Sequence, residues 1–176
     1  MQCLAMLIKK IPLPENSLFK KLPVKYNYSD SYSALQPIKD LNPEVFATNF
    51  LSGFPSWVHA LLELRHFLVK RLKIAYGNEA INSSFQPLQK GNKFSFCEII
   101  DFNNEELLLY APDKHLDIWI SFMVISTELK QELIITTIVK FNNLAGRLYF
   151  VIIKPFHKLI IKSKMRKTFI QTHTGL

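Results

Sequence analysis

Residues 148–167 read LYFVIIKPFHKLIIKSKMRK, apolar enough at the start to suggest a membrane span and basic enough at the end to suggest a phosphate binder. The longest uncharged run in it, 148–153, is six residues, whereas a helix crossing a bilayer core needs about 20. The stretch therefore does not read as a span. On a helical projection Ile152, Phe156, Leu159, Ile160 and Ser163 gather on one side, while Lys154, Lys158 and Lys162 repeat every four residues opposite. That pattern predicts an amphipathic helix with its isoleucine and phenylalanine side buried on a sheet and its lysines in water. Pro155 removes one backbone donor and clashes with the carbonyl of Val151, at about 3 kcal/mol in an isolated helix. Packing must offset that cost, which again points to a sheet underneath.

Immediately upstream, FNNLAG (141–146) supplies turn residues, and the helix is expected from about Leu144. Before it the hydrophobic period is 2. Candidate strands are Phe94–Asp101, Glu105–Tyr110, Leu116–Ile125 and Glu132–Lys140, joined by short polar connections that imply an antiparallel meander. On the third, Leu116, Ile118, Ile120, Phe122 and Val124 share one face, and Asp117, Trp119, Ser121, Met123 and Ile125 share the other. Both faces are substantially apolar, so both are expected to be covered.

Towards the N-terminus, the alternating aromatics of YNYSDSYSAL (26–35) predict a first strand near Ser29–Leu35, ended by Pro37. Two helices should follow. Asn42 is a good N-cap with Pro43 in the first helical position, and this helix runs through Phe46 and Phe50 to Gly53. The second starts at Pro55 and carries Trp57, Leu61, Leu64, Leu68 and Leu72 as one apolar stripe. Residues 1–25, with Pro12, Pro14 and Pro23, read as an irregular arm. Residues 26–168 form the domain and 169–176 a flexible tail, and the fold class is α+β.

The composition, 48% hydrophobic against 20% charged with 14 Phe, is that of a packed single domain rather than a disordered chain. The net charge of +8 is local. Eight basic and no acidic residues lie from Lys140 onward, whereas 1–139 carries 14 of each sign. Such a segment either favours lipid or nucleic-acid phosphates or is a solvated helix face. Cys3 and Cys97 are in no metal or redox spacing, which fits a reducing, cytoplasmic setting. The N-terminal apolar run precedes its lysines, so it does not read as a signal peptide.

No Gly-rich phosphate loop, GxSxG elbow or Cys/His nucleophile pair occurs, and no cofactor is expected. Nucleic acid is disfavoured, since of the aromatics in the basic segment Tyr149, Phe150 and Phe156 are required by the core and only Phe169 remains. Asp113, His115 and Asp117 alternate, so a strand would present all three on one face for metal or acid-base chemistry; the structural alternative is a turn carboxylate and a polar pair that sets register. Glu63 and His66, with His59 nearby, form a single Glu-x-x-His where a di-metal bundle needs two, so no metal is expected. Arg65 beside the apolar stripe is placed to meet Asp117 or an acidic ligand. His157 is placed to anchor a ligand or to be satisfied by a carbonyl.

The order strand, two helices, meander, long terminal helix resembles the helix-grip fold of the START and birch-pollen-allergen (SRPBCC, polyketide-cyclase-like) superfamily. W57xxxLLELR65, D113KHLD117, T137xVxxNNxxGRxY149 and P155FH157 resemble, more narrowly, a small and mainly bacterial family of unknown function, found alone or fused behind NAD(P)-binding, NmrA-like or short-chain-dehydrogenase domains. Tyr110 and Trp119 stand where that family leads one to expect Gly and Arg. The resemblance implies a curved antiparallel sheet wrapping the C-terminal helix, with a cavity between them for an apolar or amphipathic small molecule touching Arg65, Trp119, Tyr149, Phe156 and His157. It leaves two other readings. One is an enzyme of cyclase or hydratase type using His115 or His157 with Asp117. The other is a binder of anionic membrane surfaces or acidic partners through the basic helix. By the fusion analogy an oxidoreductase domain is a further expected partner.

Overall fold

The computed structural model describes residues 7–37, 41–52 and 87–174. The predicted second helix, with its Trp57 stripe, and the candidates Arg65, Glu63, His66 and His59 lie outside these residues. The described strands are β1 (Ile8–Ile11), β2 (Tyr28–Pro37), β3 (Lys93–Phe94), β4 (Cys97–Phe102), β5 (Glu106–Ala111), β6 (Leu116–Ser126) and β7 (Lys130–Phe141). Among the described residues the helices are α1 (Pro43–Leu51) and α2 (Leu144–Thr174), preceded by a 3-10 turn at Leu18–Lys21. The strands form one antiparallel sheet in the order β1-β2-β7-β6-β5-β4-β3. The fold is α+β and of helix-grip type, a curved sheet with a long C-terminal helix on one face.

The predicted meander is present, with its last strand returning beside β2 from Tyr28↔Val139 to Pro37↔Lys130. One element differs. The run from Phe94 is not continuous but turns back on itself, pairing Phe94 with Cys97 across Ser95, whose φ of 58° lies in the left-handed region. A two-residue turn, Ser95-Phe96, that places an aromatic two positions after Phe94 looks like strand alternation in sequence, which hid it. α1 starts as expected: the Asn42 side chain accepts from Val45 N at 2.8 Å and Pro43 occupies the first turn.

Strand alternation divides the core in two. On the inner face Tyr32, Phe122 and Ile135 pack with Phe46 and Phe50 of α1 and with Ile161 and Met165 of α2. Phe46, Phe50 and Phe122 meet edge-on with ring centroids 5.3–6.4 Å apart, a geometry favoured by the aromatic quadrupole. On the outer face Leu108, Trp119 and Ile138 are covered by Leu18 and Phe19 of the N-terminal segment. Both faces are thus covered.

The covering segment is the arm that the prolines led us to expect as irregular. Within residues 7–25, Ile8–Ile11 instead adds an edge strand to β2, and Pro12 ends that strand rather than preventing it. The Ser17 side chain then caps the 3-10 turn, accepting from Phe19 N at 3.3 Å. The turn is held by Glu106, 1% exposed on the outer face: its carboxylate accepts from Ser17 Oγ and Leu18 N, each at 2.7 Å, and from Ser121 Oγ at 2.5 Å.

α2 is rotated from the expected orientation. Phe150, Ile161, Met165 and Thr168 are its buried residues towards the sheet, while Ile152 is 43% and Leu159 58% exposed, and Phe156 and Ile160 are half-buried. Of the three lysines expected in water, Lys162 is exposed, although its Nζ lies 6.0 Å from the centroid of the Tyr32 ring; Lys154 and Lys158 are half-buried, with Lys154 Nζ 4.7 Å from the centroid of the Tyr28 ring. The cause is polar pairing that a hydropathy projection does not weigh. His157 and Lys164 face inward because they meet Asp30 and the Ser52 carbonyl there. No helix among the described residues is long and apolar enough to cross a membrane.

Candidate functional site

Two polar constellations stand out. The first joins the start of β6 to the start of α2. The Asp113 carboxylate accepts from His115 N at 2.8 Å, making Asp113 the turn residue and leaving His115 just ahead of the strand. Asn142 donates from its backbone N to the His115 carbonyl (2.9 Å) and from Nδ2 to the Asp113 carbonyl (3.1 Å). Asn143 caps α2: its Oδ1 accepts from Gly146 N at 3.0 Å and lies 3.2 Å from His115 Nδ1, while its Nδ2 donates to the Lys114 carbonyl at 3.2 Å. Asn27, Phe141, Asn142, Asn143, Leu144 and Arg147 line an open pocket of about 470 Å³ beside this junction. Asp117 is elsewhere, on the outer face, 3.8 Å from Lys140 Nζ. His115 thus has its ring on Asn143 at the turn, and Asp117 pairs across the strands with Lys140. No group of three or more metal-ligating side chains occurs among the described residues.

The second constellation lies on the inner face under α2. Tyr28, Asp30 and Tyr32 alternate on β2, so all three point inward. Asp30 is 3% exposed. Its Oδ2 accepts from the Tyr28 hydroxyl at 2.7 Å, and its Oδ1 lies 3.5 Å from His157 Nε2 on α2. Neither of those last two atoms makes a hydrogen bond among the described residues. The band separates two apolar clusters. Towards one end lie Tyr32, Phe46, Phe122 and Ile161; towards the other lie Leu116, Val139 and Phe150, with Tyr28, Phe141 and Tyr149 packed against them.

Burial by itself pushes the Asp30 carboxyl up, but the nearby His157 imidazole, the hydrogen bond from the Tyr28 hydroxyl and the more distant Lys10 charge outweigh it and hold it below the ordinary 3.8. The stability this contributes is present above pH 3.8 and is lost as pH falls through the lower folded value. Tyr28 is raised, first by burial and then by its bond to Asp30, so its hydroxyl remains a donor at neutral pH.

A family model described as protein of unknown function (DUF2867) matches residues 23–164, which include both constellations. The chain belongs to that family. No curated protein and no solved structure matches it. The DUF2867 match takes in Tyr28, Asp30 and His157, as well as Glu106, while β1 and the 3-10 turn that Glu106 holds precede it.

Of the residues singled out in sequence, His157 is brought to the inner face, Tyr149 packs against the Phe150 cluster, and Phe156 is half-buried. Trp119 lies on the opposite face, against Phe19 with centroids 5.7 Å apart and stacked on Tyr110 at 4.9 Å. It is therefore separated from α2 by the sheet. Asp30 was missed, although a carboxylate on the inward register of an otherwise aromatic and apolar strand face was readable in YSDSYSA.

Lys164 is buried on α2 and donates to the Ser52 carbonyl at the end of α1. Burial, then the nearby Lys167 charge, push its ammonium down to about 8. Here the unfolded chain keeps a proton that the folded chain releases, so this group makes stability rise with pH from about 8 upward towards 10.5. Above the ordinary thiol value of 9.0, buried Cys97, raised to about 12, acts in the opposite sense. The clear window is thus from about pH 8 to about pH 9. Melting temperatures across it are expected to climb relative to a Lys164→Met variant; parallel curves would show that Lys164 is not titrating.

Proposed function

We propose that this chain is a START-like helix-grip domain that binds an amphipathic small molecule between the inner face of the sheet and α2, with Asp30, His157 and Tyr28 as its polar anchor. The observation that carries this reading is the polar band itself. A buried carboxylate oxygen and an imidazole nitrogen without hydrogen bonds, set between two apolar clusters, match the usual build of a ligand site: apolar walls with a few convergent polar groups. A ligand hydroxyl fits there chemically, since it donates to Asp30 Oδ1 while accepting from His157 Nε2. The apolar part of the ligand belongs on the Phe150 side, because Phe46, Phe50 and Phe122 fill the α1 side. The SRPBCC-like arrangement of sheet and helix, a cytoplasmic setting and an oxidoreductase domain as working partner are parts of the same proposal. Nothing in the placement of His115 and Asp117 favours the cyclase or hydratase reading.

Native mass spectrometry of the purified protein is expected to show a co-purified amphiphile. A fluorescent fatty-alcohol probe is expected to bind about 10-fold more weakly to His157→Leu, and likewise to Asp30→Asn, as for loss of one hydrogen bond to a charged group. An empty protein whose weak probe binding is the same in all three forms would overturn the assignment.

A further inference from the structure

We infer that the outward face of α2 is a docking surface for an anionic lipid bilayer, with the helix lying in the plane of the interface. Leu144, Leu148, Val151, Ile152 and Leu159 are 43–70% exposed. They follow one another at helical spacing, as a single stripe about four turns long pointing away from the sheet. Isolated exposed leucines are ordinary, but a contiguous apolar stripe marks an interaction surface.

The charge around the stripe selects the occupant. Arg147, Lys158, Lys162 and Arg166 border or continue it, and no Asp or Glu occurs from Lys140 to the end of the chain. Arg147 and Arg166 are exposed and Lys158 is half-buried; Lys162 is exposed too, with its Nζ resting 6.0 Å from the Tyr32 ring, from which its flexible stem can swing to the stripe's edge. Apolar residues flanked by basic ones, with lysine stems long enough to lie along the apolar surface and present their charge at its edge, are what an interfacial helix requires on phosphate-bearing lipid. A second copy of the chain fits poorly, because stripe-to-stripe contact sets two rows of like charge against each other. This surface is independent of the ligand site, which lies on the opposite side of the same helix.

The test is sedimentation with vesicles of equal parts phosphatidylcholine and phosphatidylglycerol, compared with phosphatidylcholine alone, at low and high salt. Binding is expected on the anionic vesicles at low salt only. The variant Lys158→Gln/Lys162→Gln/Arg166→Gln should bind about 100-fold more weakly. The variant Leu148→Ser/Val151→Ser/Leu159→Ser should lose at least about 10-fold, with its melting temperature unchanged because these residues are already in water. Equal binding to neutral vesicles, no binding to either, or full binding by the charge variant overturns the inference. So does a dimer in sedimentation velocity that the serine variant abolishes, since the occupant is then a second copy.

Discussion

Gly146→Ala is expected to destabilise the protein by roughly 3–5 kcal/mol, although alanine is the better helix former by about 1 kcal/mol. A β-carbon at this position lies 2.0 Å from the His115 carbonyl oxygen and 2.7 Å from its carbon, both backbone atoms with no rotamer to escape through. Neither side can yield cheaply. The same carbonyl accepts from Asn142 N, and Asn143 ties the first turn of α2 to the Lys114 carbonyl. Withdrawing the helix breaks those bonds together, so the overpacking cost exceeds the propensity gain. Urea unfolding measures it: the midpoint should fall with the slope unchanged. A loss below about 1 kcal/mol would mean that the start of α2 can retreat from β6 freely.

Glu106→Ala carries the second large effect, an expected loss of about 3–5 kcal/mol. Its two carboxylate oxygens accept three hydrogen bonds from buried donors, two from the segment before β2 and one from Ser121 on β6. Removing one partner of a buried charged arrangement costs about 3–5 kcal/mol as a whole, because the three bonds share one acceptor and are lost together while their donors stay buried. The loss should be directional. Leu18 and Phe19 are pinned next to Trp119 by this carboxylate, so the variant should expose that tryptophan and open residues 7–25 to proteolysis before the rest of the domain unfolds. Trp119 fluorescence and limited proteolysis followed by mass spectrometry read this out, with Trp57 replaced by Phe so that one tryptophan reports. Wild-type resistance in the variant would show that apolar contact alone holds the segment.

Where the pattern was local and repeated, it was legible in the chain. The Asn42–Pro43 start of α1, the four-strand meander and a terminal helix from Leu144 follow from a cap, from period 2 and from a turn, each contained within a few residues. The two apolar faces of β6 even indicated that both sides of the sheet were covered. What covered the outer side was not legible, because Leu18 and Phe19 sit among prolines and lysines. Their burial depends on Glu106, 88 residues away from Leu18 in sequence.

The rotation of α2 shows the same division. Sequence by itself determined that residues 148–167 form an amphipathic helix and not a membrane span, since helical periodicity and charge spacing are properties of the chain. Which side faces the sheet was decided only in the tertiary structure. His157 was legible as a residue near the inward side, but hydropathy ranks Lys164 as outward, and a polar group turns inward once a partner waits there: Asp30 and the Ser52 carbonyl come from β2 and the end of α1. Those pairings displaced Ile152 and Leu159 to the surface. The buried Asp30–His157 pair and the exposed apolar stripe therefore arise from one event, the docking of a helix by its polar contacts, which no segment read alone contains.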